Sequence, residues 1–190
     1  MEILTFKTPK AYEAWLKKNH AKSTGVQLRF LKKAHKDASG EIGLTYAEAL
    51  DVSLCYGWID SQANKLDDIS YIQKFSPRGA KSIWSKKNTK HIARLIRAKR
   101  MTPAGLAHVN AAKKDGRWAR AYDSPANMKL PADFLRELST LPKAKKFLSM
   151  LNKSNLYAIA FRLNTAKKPE TRAKRMQTIL AMLLRGEKFH

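Results

Sequence analysis

Alternation of apolar and polar residues at every second position ends at Phe75, and every later segment up to Gly186 is punctuated as helix. Side chains switch faces at each residue of a strand but return only every 3.6 residues of a helix, so this change of period confines any sheet to the first ~80 residues. The sequence therefore specifies an α+β fold, with a small N-terminal β-sheet and helices followed by a mostly helical C-terminal half.

The local signals are specific. Ile3-Leu-Thr-Phe6 reads as a short strand. Thr8 then caps a helix that Pro9 opens, with Ala11, Tyr12, Trp15 and Leu16 on one face. Val26, Leu28 and Phe30 alternate along a half-buried strand, and a loop is expected around Ala38-Ser-Gly40. Thr45-Tyr-Ala-Glu48 is a capping box, in which the hydroxyl and the carboxylate each satisfy an orphan amide, and Gly57 stops the helix it opens. Residues 58–66 and 69–75 read as two strands joined at Asp67-Asp68, and Pro77 and Gly79 end the pair. Helices are expected over 86–99 and from Thr102-Pro103 to near Gly116, then from starts at Pro131, Pro142, Ser154 and Pro169. The one substantial connection, 118–130, divides an α+β region 1–123 from a helical region 124–190 packed on it, unless 1–190 is one domain.

Charge bounds the function. The chain has 38 Lys and Arg against 15 Asp and Glu, a formal charge of +23, and residues 69–114 contain no acid at all. Such a body attracts polyanions from beyond contact distance, so nucleic acid, an anionic membrane surface and a polyphosphorylated ligand are the partners it suits. Apolar residues still make up 44% of the chain, enough to build a core, which excludes global disorder. The single cysteine, Cys55, excludes an intramolecular disulfide and suits a reducing compartment, where it reads as a small core residue. The N-terminus lacks a basic region followed by an apolar one, and no run reaches the ~18 apolar residues of a membrane span. A cytoplasmic protein is expected.

Two constellations carry the chemical reading. Lys86, Lys90, Arg94 and Arg97 form one stripe of the 86–99 helix, opposite Ile92, Leu95 and Ile96. Solvated helix faces usually mix signs, because Glu–Lys pairs stabilise them, so an all-cation stripe points to an anion. Lys168, Arg172 and Arg175 open the last helix as a second stripe, over a buried face of Met176, Ile179, Leu180 and Leu183. The other constellation is a candidate pocket. Strand parity puts Trp58, Asp60 and Gln62 on one face, with Arg78, Trp84 and Lys86 close behind in sequence. Gly79-Ala-Lys-Ser82 ends like a phosphate-binding loop, but Lys74 stands where that motif needs its first glycine. The five histidines show no metal-ligand spacing, so no metal or cofactor is expected.

Several segments together resemble the bacteriocin-protection, YdeI or OmpD-associated family. They are Leu44-Thr-Tyr-Ala-Glu-Ala-Leu50, Cys55-Tyr-Gly-Trp-Ile-Asp-Ser-Gln62, Phe75-Ser-Pro-Arg78 with Ser82-Ile-Trp-Ser-Lys86, and Met101-Thr-Pro-Ala-Gly-Leu106. Asp115-Gly-Arg-Trp118 with Ala121-Tyr-Asp123, and Ala166-Lys-Lys-Pro-Glu-Thr-Arg172, extend the resemblance over essentially the full length. It implies tolerance of antimicrobial peptides and association with an envelope porin, and it carries over no catalytic residues. Some members are expected in the periplasm, from which this chain departs by showing no signal sequence.

Three readings follow. The first is a non-enzymatic polyanion-binding protein in a stress or resistance setting. The second is an enzyme acting on a small anionic or sugar-like substrate around Asp60, Gln62, Arg78 and Lys86. The third is a peripheral factor at an anionic membrane or porin.

Overall fold

The computed structural model describes residues 1–32 and 43–190. The loop expected around Ala38-Ser-Gly40 lies outside them. The chain divides into two compact units, Met1–Trp84 with Asn88–Arg120 and Ser85–Lys87 with Ala121–His190. All strands among the described residues belong to the first unit, and the α+β reading holds.

The first unit is built on a four-stranded sheet of order β1-β2-β4-β3, from β1 (Ile3–Leu4), β2 (Val26–Leu31), β3 (Trp58–Lys65) and β4 (Ser70–Pro77). β1 pairs parallel to β2 through α1 (Pro9–Asn19), which Thr8 caps by accepting the Ala11 amide. α2 (Tyr46–Cys55) carries the chain from β2 to the far edge, and the Thr45–Glu48 capping box forms as the sequence predicts. β3 and β4 are antiparallel. Val26, Leu28 and Phe30 alternate into the core beside Phe75, where Tyr12 and Leu16 of α1 also bury. The Tyr12 hydroxyl is satisfied there by Ser53 Oγ at 2.9 Å. Ala11, predicted on the same face, is exposed.

Two helices complete this unit's chain. α3 (Lys86–Arg97), which belongs to this unit from Asn88 onward, buries Ile92 and Leu95, whereas Ile96, 100° further round, is 40% exposed and does not join them. α4 (Pro103–Lys114) starts at the Thr102 cap. Its Gly105 lies so close to the Cys55 carbonyl that no Cβ fits between them.

The second unit contains α5 (Ala132–Ser139), α6 (Pro142–Ser149), α7 (Lys153–Asn164) and α8 (Pro169–Arg185). Phe134, Leu138, Leu148, Ile159, Leu163, Ile179 and Leu183 form its core, with Met176 and Leu180 half-buried against it. α7 begins at Lys153, one residue before the predicted Ser154 start, because Asn152 is the residue whose side chain accepts the third amide of the helix. α8 ends at Gly186 in the left-handed conformation. No helix among the described residues is long and apolar enough to cross a membrane.

Candidate functional site

The cationic stripe of α3 is sorted by acids that lie far away in sequence. Arg94 meets both oxygens of Asp51 on α2 through one guanidinium nitrogen, and His91 Nδ1 shares the same carboxylate at 3.0 Å. Burial alone would raise the Asp51 carboxyl, but the hydrogen bonds from Arg94 and His91 outweigh it and hold it below the usual carboxylate range. Lys86 donates to Asp123 at 2.7 Å. Two of the four predicted cations are thus engaged, while Lys90 and Arg97 remain exposed and, among the described residues, meet no acid. Their spacing of seven residues separates them by roughly 10 Å on one side of the helix.

The end of α3 adds two cations that periodicity did not single out. The Lys99 amide donates to Ile96 O and the Arg100 amide to Leu95 O, both at 3.0 Å. This is a Schellman turn, which places its penultimate residue in the left-handed region. That residue is Lys99, with φ of 53°, the only positive-φ non-glycine among the described residues. A lysine there costs about 1 kcal/mol more than a glycine would. Lys99 and Arg100 are both exposed. The signal available in the sequence was the run Arg97-Ala-Lys-Arg100 itself; its turn geometry was not.

The candidate pocket residues separate. Trp58 is a core side chain, 1% exposed, whose Nε1 donates to the His20 carbonyl at 3.1 Å. Asp60 accepts from the Tyr46 hydroxyl at 2.8 Å. A β-bulge lies between Asp60, opposite Phe75, and Ala63, opposite Gln73, so Ala63 rather than Gln62 takes the next position on the Asp60 face. Gln62 is exposed. Buried Gln73 supports the bulge by donating to Ser61 O at 2.9 Å. Lys86 is bound to Asp123, as described.

Arg78 and Trp84, by contrast, do come together. The Arg78 guanidinium lies 3.7 Å over the Trp84 ring and donates to Ile83 O at 2.9 Å, although both side chains are almost fully buried. Arg117 joins this end of the unit, donating to Ser82 O at 3.0 Å and pairing with Asp115. Trp118 packs on Trp84 with ring centres 5.0 Å apart. Burial pushes the nearby His108 imidazole below its ordinary range, and the charges of Arg78 and Arg117 add to that shift. The arginines hold loop carbonyls and stack on an aromatic ring, which is a loop-fastening arrangement. Trp84 Nε1 is the one buried side-chain donor among the described residues that meets no acceptor.

On the second stripe, Arg172 pairs with Asp133 at 2.9 Å and Arg175 donates to the Arg162 carbonyl at 2.7 Å, while Lys168 is the exposed residue preceding α8. Among the described residues no group of His, Cys, Asp and Glu is arranged to hold a metal ion.

A basic α+β chain of two compact units, with a cation-bearing helix tied to α2 through Asp51, is the class these observations define. Within it, the chain belongs to the family described as Domain of unknown function (DUF8412), whose model matches residues 4–108. Residues 127–186 match the family described as Bacteriocin-protection, YdeI or OmpD-Associated. The resemblance to the YdeI or OmpD-associated family, expected over essentially the full length, is therefore carried by residues 127–186, and residues 4–108 match a different family. Of the motifs quoted for it, only that at 166–172 falls within the 127–186 match; those up to Leu106 lie in the other family's stretch and those at 115–123 lie between. No curated protein and no solved structure matches the chain.

Proposed function

We propose that the protein binds polyanions, nucleic acid foremost, through the exposed cations Lys90, Arg97, Lys99 and Arg100. The observation that carries this reading is that these four stay uncompensated on one helix and its terminal turn while Lys86 and Arg94 are matched by carboxylates. Their arrangement is sequence-blind: cations on a convex helix meet phosphates, and no aromatic or amide side chain among them reads a base. The description of the family matched by residues 127–186 supports a setting in bacteriocin protection.

The test is a titration of a random DNA duplex at several salt concentrations. Each phosphate neutralised releases condensed counterions, so the double variant Lys90→Ala/Arg97→Ala is expected to lower the log–log salt slope by about 2. Adding Arg94→Ala should change it little, since that charge is already matched by Asp51. An unchanged slope in the double variant would reduce the stripe to a solvated surface. Absence of binding at low salt would remove nucleic acid as the partner.

A further inference from the structure

The second unit contains a groove of about 600 Å³ lined by α7, α8 and the C-terminal segment. Its volume lies within the range of small-molecule sites, roughly 300–1,000 Å³. Phe161, Ile179 and Phe189 form an apolar wall, and Arg162, Lys174 and Arg175 bring three positive charges to the same space. Among the described residues, no Asp or Glu lines it. This differs from the pattern on α3, where acids from elsewhere in the chain meet half of the predicted stripe.

The polar groups in the groove are also aligned by type. The Thr165 hydroxyl donates to Phe161 O at 2.6 Å and the Thr178 hydroxyl to Lys174 O at 2.9 Å, so both protons are already committed inside the helices. Donors for a ligand therefore come mainly from the cations. Arg162 stacks its guanidinium 4.1 Å from the Phe189 ring centre, which orients a flat fork of N–H groups alongside an aromatic surface. Arg175 is steadied by its 2.7 Å bond to the Arg162 carbonyl. Planar guanidinium groups match the paired oxygens of a phosphate or carboxylate, and the low-dielectric wall strengthens that attraction.

We propose that this groove binds a small organic anion, with a flat aromatic body against the Phe161, Ile179 and Phe189 wall and one phosphate or carboxylate among Arg162, Lys174 and Arg175. A free inorganic anion would leave the wall unused, and a neutral aromatic would leave three charges unanswered. The site is separate from the proposed nucleic-acid face, and its test does not depend on that reading.

Calorimetric titration of the full chain at low salt decides it, with phenyl phosphate, benzoate, inorganic phosphate and benzyl alcohol as probes. One aryl anion at least should bind saturably at one site, and inorganic phosphate and benzyl alcohol about tenfold more weakly or worse. The variant K174Q/R175Q should lose about tenfold in aryl-anion affinity. K129Q/K153Q removes the same charge from a second groove of this unit, about 520 Å³, and should leave affinity unchanged. If K174Q/R175Q loses its helical circular dichroism, K174Q alone, at an exposed position, should still cost about threefold. No saturable binding of either aryl anion at about 10 mM would overturn the proposal. So would inorganic phosphate binding as tightly as phenyl phosphate, or equal losses in the two double variants.

Discussion

Asp51 accepts from Arg94 and His91 on the neighbouring helix, so one carboxylate on α2 withdraws one cation from the surface of α3. The Asp51 side chain is mostly buried, whereas Arg94 is half exposed, and the acid is the partner that depends on the pairing. Asp51→Asn should cost roughly 1–3 kcal/mol of stability, read from chemical denaturation. The same change should increase the salt slope of DNA binding by up to about 1, because it releases Arg94 to meet a phosphate. A purely structural role for the acid would move the first quantity and leave the second alone. The pH dependence has a defined sign. The folded carboxyl titrates below its ordinary value, so its contribution is complete above the unfolded pKa, about 3.9, and is lost as pH falls through the lower folded value. Wild type should therefore lose stability more steeply than Asp51→Asn below about pH 4. Cys55 belongs to the same helix and is a core residue. It is 1% exposed, and burial pushes its thiol up to about 11.

The element whose geometry matters most is the turn that ends α3. Glycine is the usual occupant of a left-handed helix cap, since it has no Cβ to crowd the carbonyl. Here Lys99 occupies it at φ of 53°. Lys99→Gly should stabilise the protein by about 1 kcal/mol in thermal or chemical unfolding. It should also weaken duplex binding and reduce the salt slope by about 0.9. Opposite signs for stability and binding would assign the lysine to the ligand; a variant that gains stability and binds equally well would remove Lys99 from the interface. The β3 bulge acts at the same scale. One extra residue between Asp60 and Ala63 reverses the facing of everything after it, which is why the side chains of Asp60 and Gln62 do not meet as parity predicts.

For the molecule as a whole, the dominant quantity is the charge of +23. Like charges on a folded chain repel, and salt screens them over about 10 Å at 0.1 M. Raising salt from about 0.01 to 0.1 M should therefore increase the melting temperature while weakening duplex binding. If salt instead lowered the melting temperature, the ion pairs such as Arg94–Asp51 and Arg172–Asp133 would outweigh the repulsion. Each compact unit has its own apolar core, the first around Tyr12, Phe30, Trp58 and Phe75, the second around Phe134, Ile159 and Leu183. The two family matches, 4–108 and 127–186, follow a similar division.

Local physics made much of the fold legible before any coordinates. The Thr8, Thr45 and Thr102 caps all form, and so does the left-handed stop at Gly186, because a cap is decided by side chains within about three residues of the amide it satisfies. Strand alternation located β2 and β4 for the same reason: the period of side-chain facing is a property of the backbone. The candidate pocket was not legible, because it required the 58–66 strand to be regular, and the bulge appears only when β3 is set in register with β4. The proposed binding face was legible in part. The sequence showed that residues 69–114 contain no acid, but neutralisation does not respect distance along the chain. Arg94 is answered from 43 residues away and Lys86 from 37. A charge acts over ångströms of space whatever the contour length between its partners, so the tertiary structure alone decided that Arg94 and Lys86 are matched while Lys90, Arg97, Lys99 and Arg100 stay exposed.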